Sequence, residues 1–227
     1  MIERPSPNYN DRPAGKAIDL LVLHYTGMRD AESALRRLTD PEAKVSSHYL
    51  IDEAGLVYRL VHEQRRAWHA GVSFWAGERD INGVSIGIEL VNPGHDFGYR
   101  PFPEAQMAAL IDLSRGILDR HPIPASGVVG HSDVAPARKI DPGELFDWPR
   151  LAKAGIGRWP EPAKGPGDAA SVRAALAKIG YEVSAEGAKD SVTKESLMAF
   201  QRHFRPRRID GIADDETCGM LYGLLAT

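Results

Sequence analysis

Residues 45–61, VSSHYLIDEAGLVYRLV, hold two apolar runs of strand character, Val45–Ile51 and Leu56–Val61. Asp52-Glu53-Ala54-Gly55 between them carries turn chemistry, so the pair predicts a β-hairpin. Working outward, Ile18–Leu23 and Val84–Val91 are two further apolar runs, and Gly127–Val129 is a shorter fifth. Two stretches have helical spacing instead. Asp30–Leu38 places Ala31, Ala34, Leu35 and Leu38 on one face behind an N-capping Asp30. Pro103–Arg120 repeats Met107, Leu110, Ile111, Ser114, Ile117 and Leu118, with Pro103 and Glu104 suited to a first turn. Strands interleaved with helices, one pair of strands forming a hairpin, predict an α/β fold: a mixed β-sheet flanked by helices.

The composition then changes. Residues 155–167, GIGRWPEPAKGPG, are rich in Gly and Pro without an apolar period and read as a linker. Three short helical stretches follow, Ser171–Ile179, Thr193–Phe204 and Asp214–Leu225, with Gly180 as a C-cap and Asp210-Gly211 as a turn. The expected organisation is a catalytic region over 1–154, a linker over 155–167 and a small three-helix C-terminal domain over 168–227.

The 227 residues carry 28 Lys and Arg against 31 Asp and Glu, a net charge of -3 that offers no basic field for nucleic acid. Cys218 is the single cysteine, so neither an internal disulfide nor a Cys-rich zinc site can form. No run approaches the ~18 apolar residues of a membrane span, and the opening MIERPSPNYNDRP has no apolar leader segment. The expected compartment is the cytoplasm, with the periplasm or outer membrane as the alternative if a leader was removed.

Of eight histidines, two lie where an apolar strand ends: His24 in LLVLH and His131 in VVGHSD. Ligands collect at such sheet rims. Asp141 follows ten residues after His131 in a Pro-containing loop. Two imidazoles and a carboxylate suit a three-ligand zinc site with its fourth position open for water, the catalytic arrangement. A strand-end histidine taken singly is as a rule structural, and the two halves of this set are far apart in the chain. Glu89 sits inside the apolar run Ser85-Ile-Gly-Ile-Glu-Leu-Val91. It either faces solvent or lines a cleft with a raised pKa, the state of a general base. Lys139, two residues before Asp141, is a solvated loop lysine or a donor to an oxyanion. His69 in WHAG either contacts substrate or holds a loop together.

Taken together, VLHYT (22–26), VSSHYLID (45–52), WHAG (68–71), NGVSIGIEL (82–90) and GHSDVAPARKIDPG (130–143) resemble the type 2 N-acetylmuramoyl-L-alanine amidases. These are the AmpD/AmiD-like group, related in fold to phage lysozyme-type amidases and animal peptidoglycan recognition proteins. The motifs occur in the family's order from about Ile18 to Trp148. The resemblance implies one zinc ion held by His24, His131 and Asp141, with Glu89 as general base and Lys139 at the oxyanion. It also implies His69 in the substrate groove. Asp141 matches the bacterial recycling group, where phage relatives have Cys. Ser47 stands where phage enzymes and recognition proteins have Tyr, which leaves Glu89 with the base role. Ile140 replaces a frequent Thr.

The implied activity is hydrolysis of the amide between the lactyl group of muramic acid and L-alanine of the stem peptide. The implied partners are muropeptides, ordinary or 1,6-anhydro, and a monomer is expected. A non-catalytic peptidoglycan sensor on the same fold is the alternative, and such proteins typically lose a zinc ligand. The tail resembles a three-helix peptidoglycan-binding domain at Val172-Arg-Ala-Ala-Leu176, Gly180-Tyr181, Ala199-Phe-Gln-Arg202 and Asp210-Gly-Ile-Ala213. It departs from that pattern between Val183 and Asp190, where Ala185-Glu186-Gly187 replaces an Asp-Gly turn.

Overall fold

The computed structural model describes residues 1–184 and 191–226, so the departing turn at 185–187 lies outside the described residues. Six strands form one mixed sheet: β1 (Ile2–Glu3), β3 (Leu20–Tyr25), β4 (Tyr49–Ile51), β5 (Val57–Arg59), β7 (Ser85–Leu90) and β8 (Val128–Gly130), in the order β1-β5-β4-β7-β3-β8. β2 (Tyr9–Asp11) and β6 (Arg65–Ala67) make a separate antiparallel ribbon. The helices are α1 (Ala31–Thr39), α2 (Ile81–Val84), α3 (Gly94–Phe97), α4 (Glu104–Arg120), α5 (His131–Val134), α6 (Trp148–Lys153), α7 (Ala169–Ile179), α8 (Ser191–Phe204) and α9 (Asp215–Leu225). None is long and apolar enough to cross a membrane.

The expected hairpin is β4–β5, with Leu50 opposite Tyr58. Asp52 Oδ1 accepts the amides of Ala54 and Leu56. Gly55 adopts φ +83°, and a Cβ there would lie 2.7 Å from the Ala105 carbonyl oxygen, so the turn demands glycine. The strand before it is shorter than its apolar run. Ser46 and Ser47 donate their hydroxyls to the carbonyls of Asn8 and Gly87, and this bonding carries Val45–Ser47 off the ladder, while the His48 amide still donates to the Gly87 carbonyl.

β7, β3 and β8 run parallel, and the register pairs His24 with Glu89. Because side chains alternate along a strand, Leu21 and Leu23 share one face with Ile86, Ile88 and Leu90. That face packs on Met107, Leu110 and Ile117 of α4. Burying each such side chain contributes roughly 1.5–3 kcal/mol. The other face carries Leu20, Val22 and His24 from β3 and Ser85, Gly87 and Glu89 from β7. α1 covers its β4 end, packing Ala34, Leu35 and Leu38 against Leu50 and Val91. The tail helices cover its β8 end in one core that joins Leu20, Val22 and Val129 to Val172, Leu176, Phe200 and Leu221. A gap remains at the C-terminal ends of the strands, between α1 and the segment from His131 to Asp141.

Helix ends follow their capping residues. The Asp30 carboxylate accepts the Ser33 amide at α1, and Asp214 accepts that of Thr217 at α9. Gly180 closes α7 with its amide on the Leu176 carbonyl. Residues 155–167 hold no helix or strand and are mostly exposed, with Ile156 and Pro160 buried. Ile156 enters the α4-side core, and the Ala163 amide donates to the Gly219 carbonyl of α9. Pro162 lies against Gly219 and the Glu161 carbonyl against Gly223, so the segment is a strap laid along α9.

Candidate metal centre and active site

The end of β3 delivers His24 and the end of β8 delivers His131, the first residue of α5. The loop after α5 returns Asp141 to the same point, where the Ser132 amide donates to the Asp141 carbonyl at 2.8 Å. The three side chains then converge. His24 Nδ1 lies 2.9 Å from His131 Nδ1 and 3.2 Å from Asp141 Oδ2, and His131 Nδ1 lies 3.0 Å from Asp141 Oδ2. All three residues are buried.

The outer ring nitrogens assign the tautomers. His131 Nε2 lies 3.1 Å from the Ala70 carbonyl, which can only accept, so that nitrogen carries the proton. His24 Nε2 meets His69 Nδ1 at 3.0 Å, and His69 Nε2 meets Ser85 Oγ at 3.1 Å. A consistent chain of donors runs from His24 through His69 to Ser85. The Ala70 contact thus turns the His131 Nδ1 lone pair toward the Asp141 carboxylate, and the His24-to-Ser85 donor order does the same for His24 Nδ1. Three acceptors this close repel one another unless a cation lies among them. Bonds of about 2.0–2.2 Å in tetrahedral geometry separate ligand atoms by about 3.3–3.5 Å, within a few tenths of an ångström of the distances here. The donor set fits a metal ion.

The electrostatics agree. Burial, reinforced by neighbouring His131, lowers the His24 pKa to about 4, and burial pushes His69 well below the usual imidazole value. Burial alone would raise Asp141, but His131 and His24 outweigh it and hold the carboxyl below the ordinary carboxylate range. These shifts favour neutral imidazoles at His24 and His69 and an ionised carboxylate at Asp141. Glu89 shifts the other way, well above its ordinary value, through burial and then the nearby Asp141 charge, with Lys139 opposing. Glu89 is 9% exposed and its Oε2 has no hydrogen-bond partner among the described residues.

A cleft of about 310 Å³ opens over these groups. All six residues singled out from the sequence are at this place: His69, Glu89, His131, Lys139 and Asp141 line the cleft, and His24 lies beneath it in contact with His69, His131 and Asp141. Lys139 is half-buried, whereas Ile140 points outward at 37% exposure. Ser47, at the position of the missing Tyr, is buried and bonded to β7. His69 lines the cleft and also orients His24. A Cβ on Gly87 would come within 2.6 Å of the His69 ring, so the glycine makes room for it.

Several supporting residues escape sequence reasoning. Asn82 Oδ1 accepts the amides of His69 and Ala70 and so holds that loop. Arg138 donates to the Ala70 carbonyl that also receives His131. Arg37 of α1 and Tyr25 complete the cleft wall. NGVSIGIEL already contains one usable signal, the alternation of Ser85, Gly87 and Glu89 with Ile86, Ile88 and Leu90.

Comparison with known proteins matches residues 14–144 to the family described as N-acetylmuramoyl-L-alanine amidase, and residues 167–221 to a peptidoglycan binding domain. The N-acetylmuramoyl-L-alanine amidase AmiD of Escherichia coli is 42% identical over 92% of this chain and 82% of its own length. The 1,6-anhydro-N-acetylmuramyl-L-alanine amidase AmpD of Escherichia coli is 37% identical over 65% of this chain and 87% of its own. Among solved structures, AmiD from Escherichia coli in complex with the substrate anhydro-N-acetylmuramic acid-L-Ala-D-gamma-Glu-L-Lys superposes with TM-score 0.83 at 39% identity. That match covers 96% of this chain and 97% of the other.

Proposed function

The chain belongs to the N-acetylmuramoyl-L-alanine amidase family, and from that premise we propose that His24, His131 and Asp141 hold one zinc ion while Glu89 serves as general base. The enzyme hydrolyses the amide between the lactyl group of muramic acid and the L-alanine of the stem peptide. The observation that carries the residue assignment is the meeting of three lone-pair donors beside a buried carboxylate oxygen with no partner.

Zinc held by these ligands supplies Lewis acidity, polarising the scissile carbonyl and acidifying water. The protein's own groups do the rest. Glu89, kept basic by burial, takes a proton from the attacking water. As the carbonyl carbon becomes tetrahedral, its oxygen gains negative charge, and the Lys139 ammonium in the cleft wall stabilises it. The C–N bond then breaks, and the proton held by Glu89 passes to the leaving alanine nitrogen. His69 and the Ala70 carbonyl hold the two imidazoles in their working tautomers. His69 also contacts substrate from the cleft wall.

We divide the chain into a catalytic region over 1–154, a strap over 155–167 and a peptidoglycan-binding tail over 168–227, a division supported by the two matched families. The substrates are muropeptides, including the 1,6-anhydro forms bound by the AmiD relative. With one cysteine, the chain makes no internal disulfide, so its fold does not depend on an oxidising compartment.

The test is release of stem peptide from ordinary and 1,6-anhydro muropeptides, followed by mass spectrometry, with chelator and with zinc added back. Activity should vanish with chelation and return with zinc. Full activity in the metal-free enzyme would overturn the assignment of His24, His131 and Asp141.

A further inference from the structure

α5, which carries His131, is only four residues long, and the Ala135 amide ends it on the His131 carbonyl. So short a turn does not hold its own geometry. Its rigidity comes from outside, and much of it passes through Asp133, two residues beyond His131. Asp133 is 1% exposed. Its Oδ2 accepts the Gly130 amide and His203 Nδ1, both at 2.7 Å, and its Oδ1 accepts the Tyr181 hydroxyl at 2.6 Å. Two of these three donors belong to the tail.

Both tail donors are themselves locked. The His203 ring stacks between Trp148 and Phe204, at centroid distances of 3.7 and 3.8 Å. Tyr181 packs edge-on against Trp75 at 4.9 Å and against Phe200 at 6.1 Å. Charge-assisted hydrogen bonds from fixed donors to a buried carboxylate are strong and directional. We propose that Tyr181 and His203 are positioning residues of the metal centre: through Asp133 they set α5, and thereby aim His131 Nδ1 at His24 and Asp141. The tail is then a working part of the active site, independent of any wall fragment it binds. This rests on the reading of His24, His131 and Asp141 as metal ligands.

The experiment compares wild type with Tyr181→Phe, His203→Gln and, as a control, Val172→Ala, which trims the tail's core at a side chain with no hydrogen-bonding atom to offer Asp133. Zinc affinity is measured on each full chain by competition with a chromophoric chelator, alongside Tm and steady-state kinetics on a small muropeptide. Tyr181→Phe and His203→Gln should each bind zinc about 10-fold more weakly, the low end for lost partners behind metal ligands. Their kcat should fall with KM little changed. Val172→Ala should lower Tm yet keep wild-type zinc affinity. Unchanged zinc affinity and kcat in folded Tyr181→Phe and His203→Gln would overturn the proposal, as would an equal loss in Val172→Ala. A wild type that binds no zinc would instead overturn the metal reading beneath it.

Discussion

Glu89→Gln exchanges one oxygen for an amide nitrogen, preserves volume, and removes the ability to accept a proton. The Oε2 atom makes no hydrogen bond, so the change breaks no native bond there. The stability change is therefore below about 1 kcal/mol, the ordinary worth of one such bond. For a chain of this size that corresponds to a Tm shift of less than about 4 °C. Glu89 is not one of the three converging ligands, so zinc content should stay at one per chain. Activity behaves differently. A positioned general base contributes about 10²–10⁴-fold, or about 3–5 kcal/mol of barrier at 1.36 kcal/mol per tenfold. Peptide release from muropeptides, zinc content and Tm are measured on the same preparation. Activity within tenfold of wild type at full zinc occupancy would refute the base assignment. A loss of zinc in step with activity would show that Glu89 acts through the metal site instead.

If His24, His131 and Asp141 hold zinc as proposed, its binding to the folded protein should raise Tm; at 1,000 times Kd the gain is about 4 kcal/mol, and calorimetry giving one Tm with chelator and with excess zinc would contradict the site. Gly87→Ala forces the His69 ring aside and strips His24 Nε2 of its partner. Zinc affinity by chelator competition should fall about 10–100-fold, and wild-type affinity would show that His69 does not orient His24. Glu63 is buried, which alone would raise its pKa, yet bonds from Arg120, His121 and Tyr49 bring it from 4.5 to about 2. Because the folded pKa is depressed, this contribution is complete above pH 4.5 and is lost as pH falls toward 2. It amounts to about 3 kcal/mol. Urea midpoints should drop more steeply with acid in wild type than in Glu63→Gln, and parallel slopes would refute the linkage.

Features that rest on local pattern were legible before any coordinates. Asp30 capping α1, the periodic face of α4, the turn at Asp52–Gly55 and the three tail helices depend on neighbours within a few residues. β1, β2 and β6 were not legible: they are two or three residues long, and the exposed residues of β1 and β2 carry no apolar alternation. α5 likewise has too few residues to show a helical period.

By itself the sequence singled out the residues proposed to carry the chemistry, because His24, Glu89, His131, Lys139 and Asp141 fall in motifs that resemble an amidase set in the same order. The tertiary structure alone decided that they meet. His24 and His131 are 107 residues apart, and only parallel pairing of β3 with β8 brings their lone pairs to 2.9 Å. The same holds for the tail, which composition sets off as a separate unit behind a Gly- and Pro-rich segment. That segment lies packed along α9, and Tyr181 and His203 reach back 48 and 70 residues to Asp133. Contacts at such separations leave no periodicity in a sequence, because the chain between them is free to take any path until the core that joins them has formed.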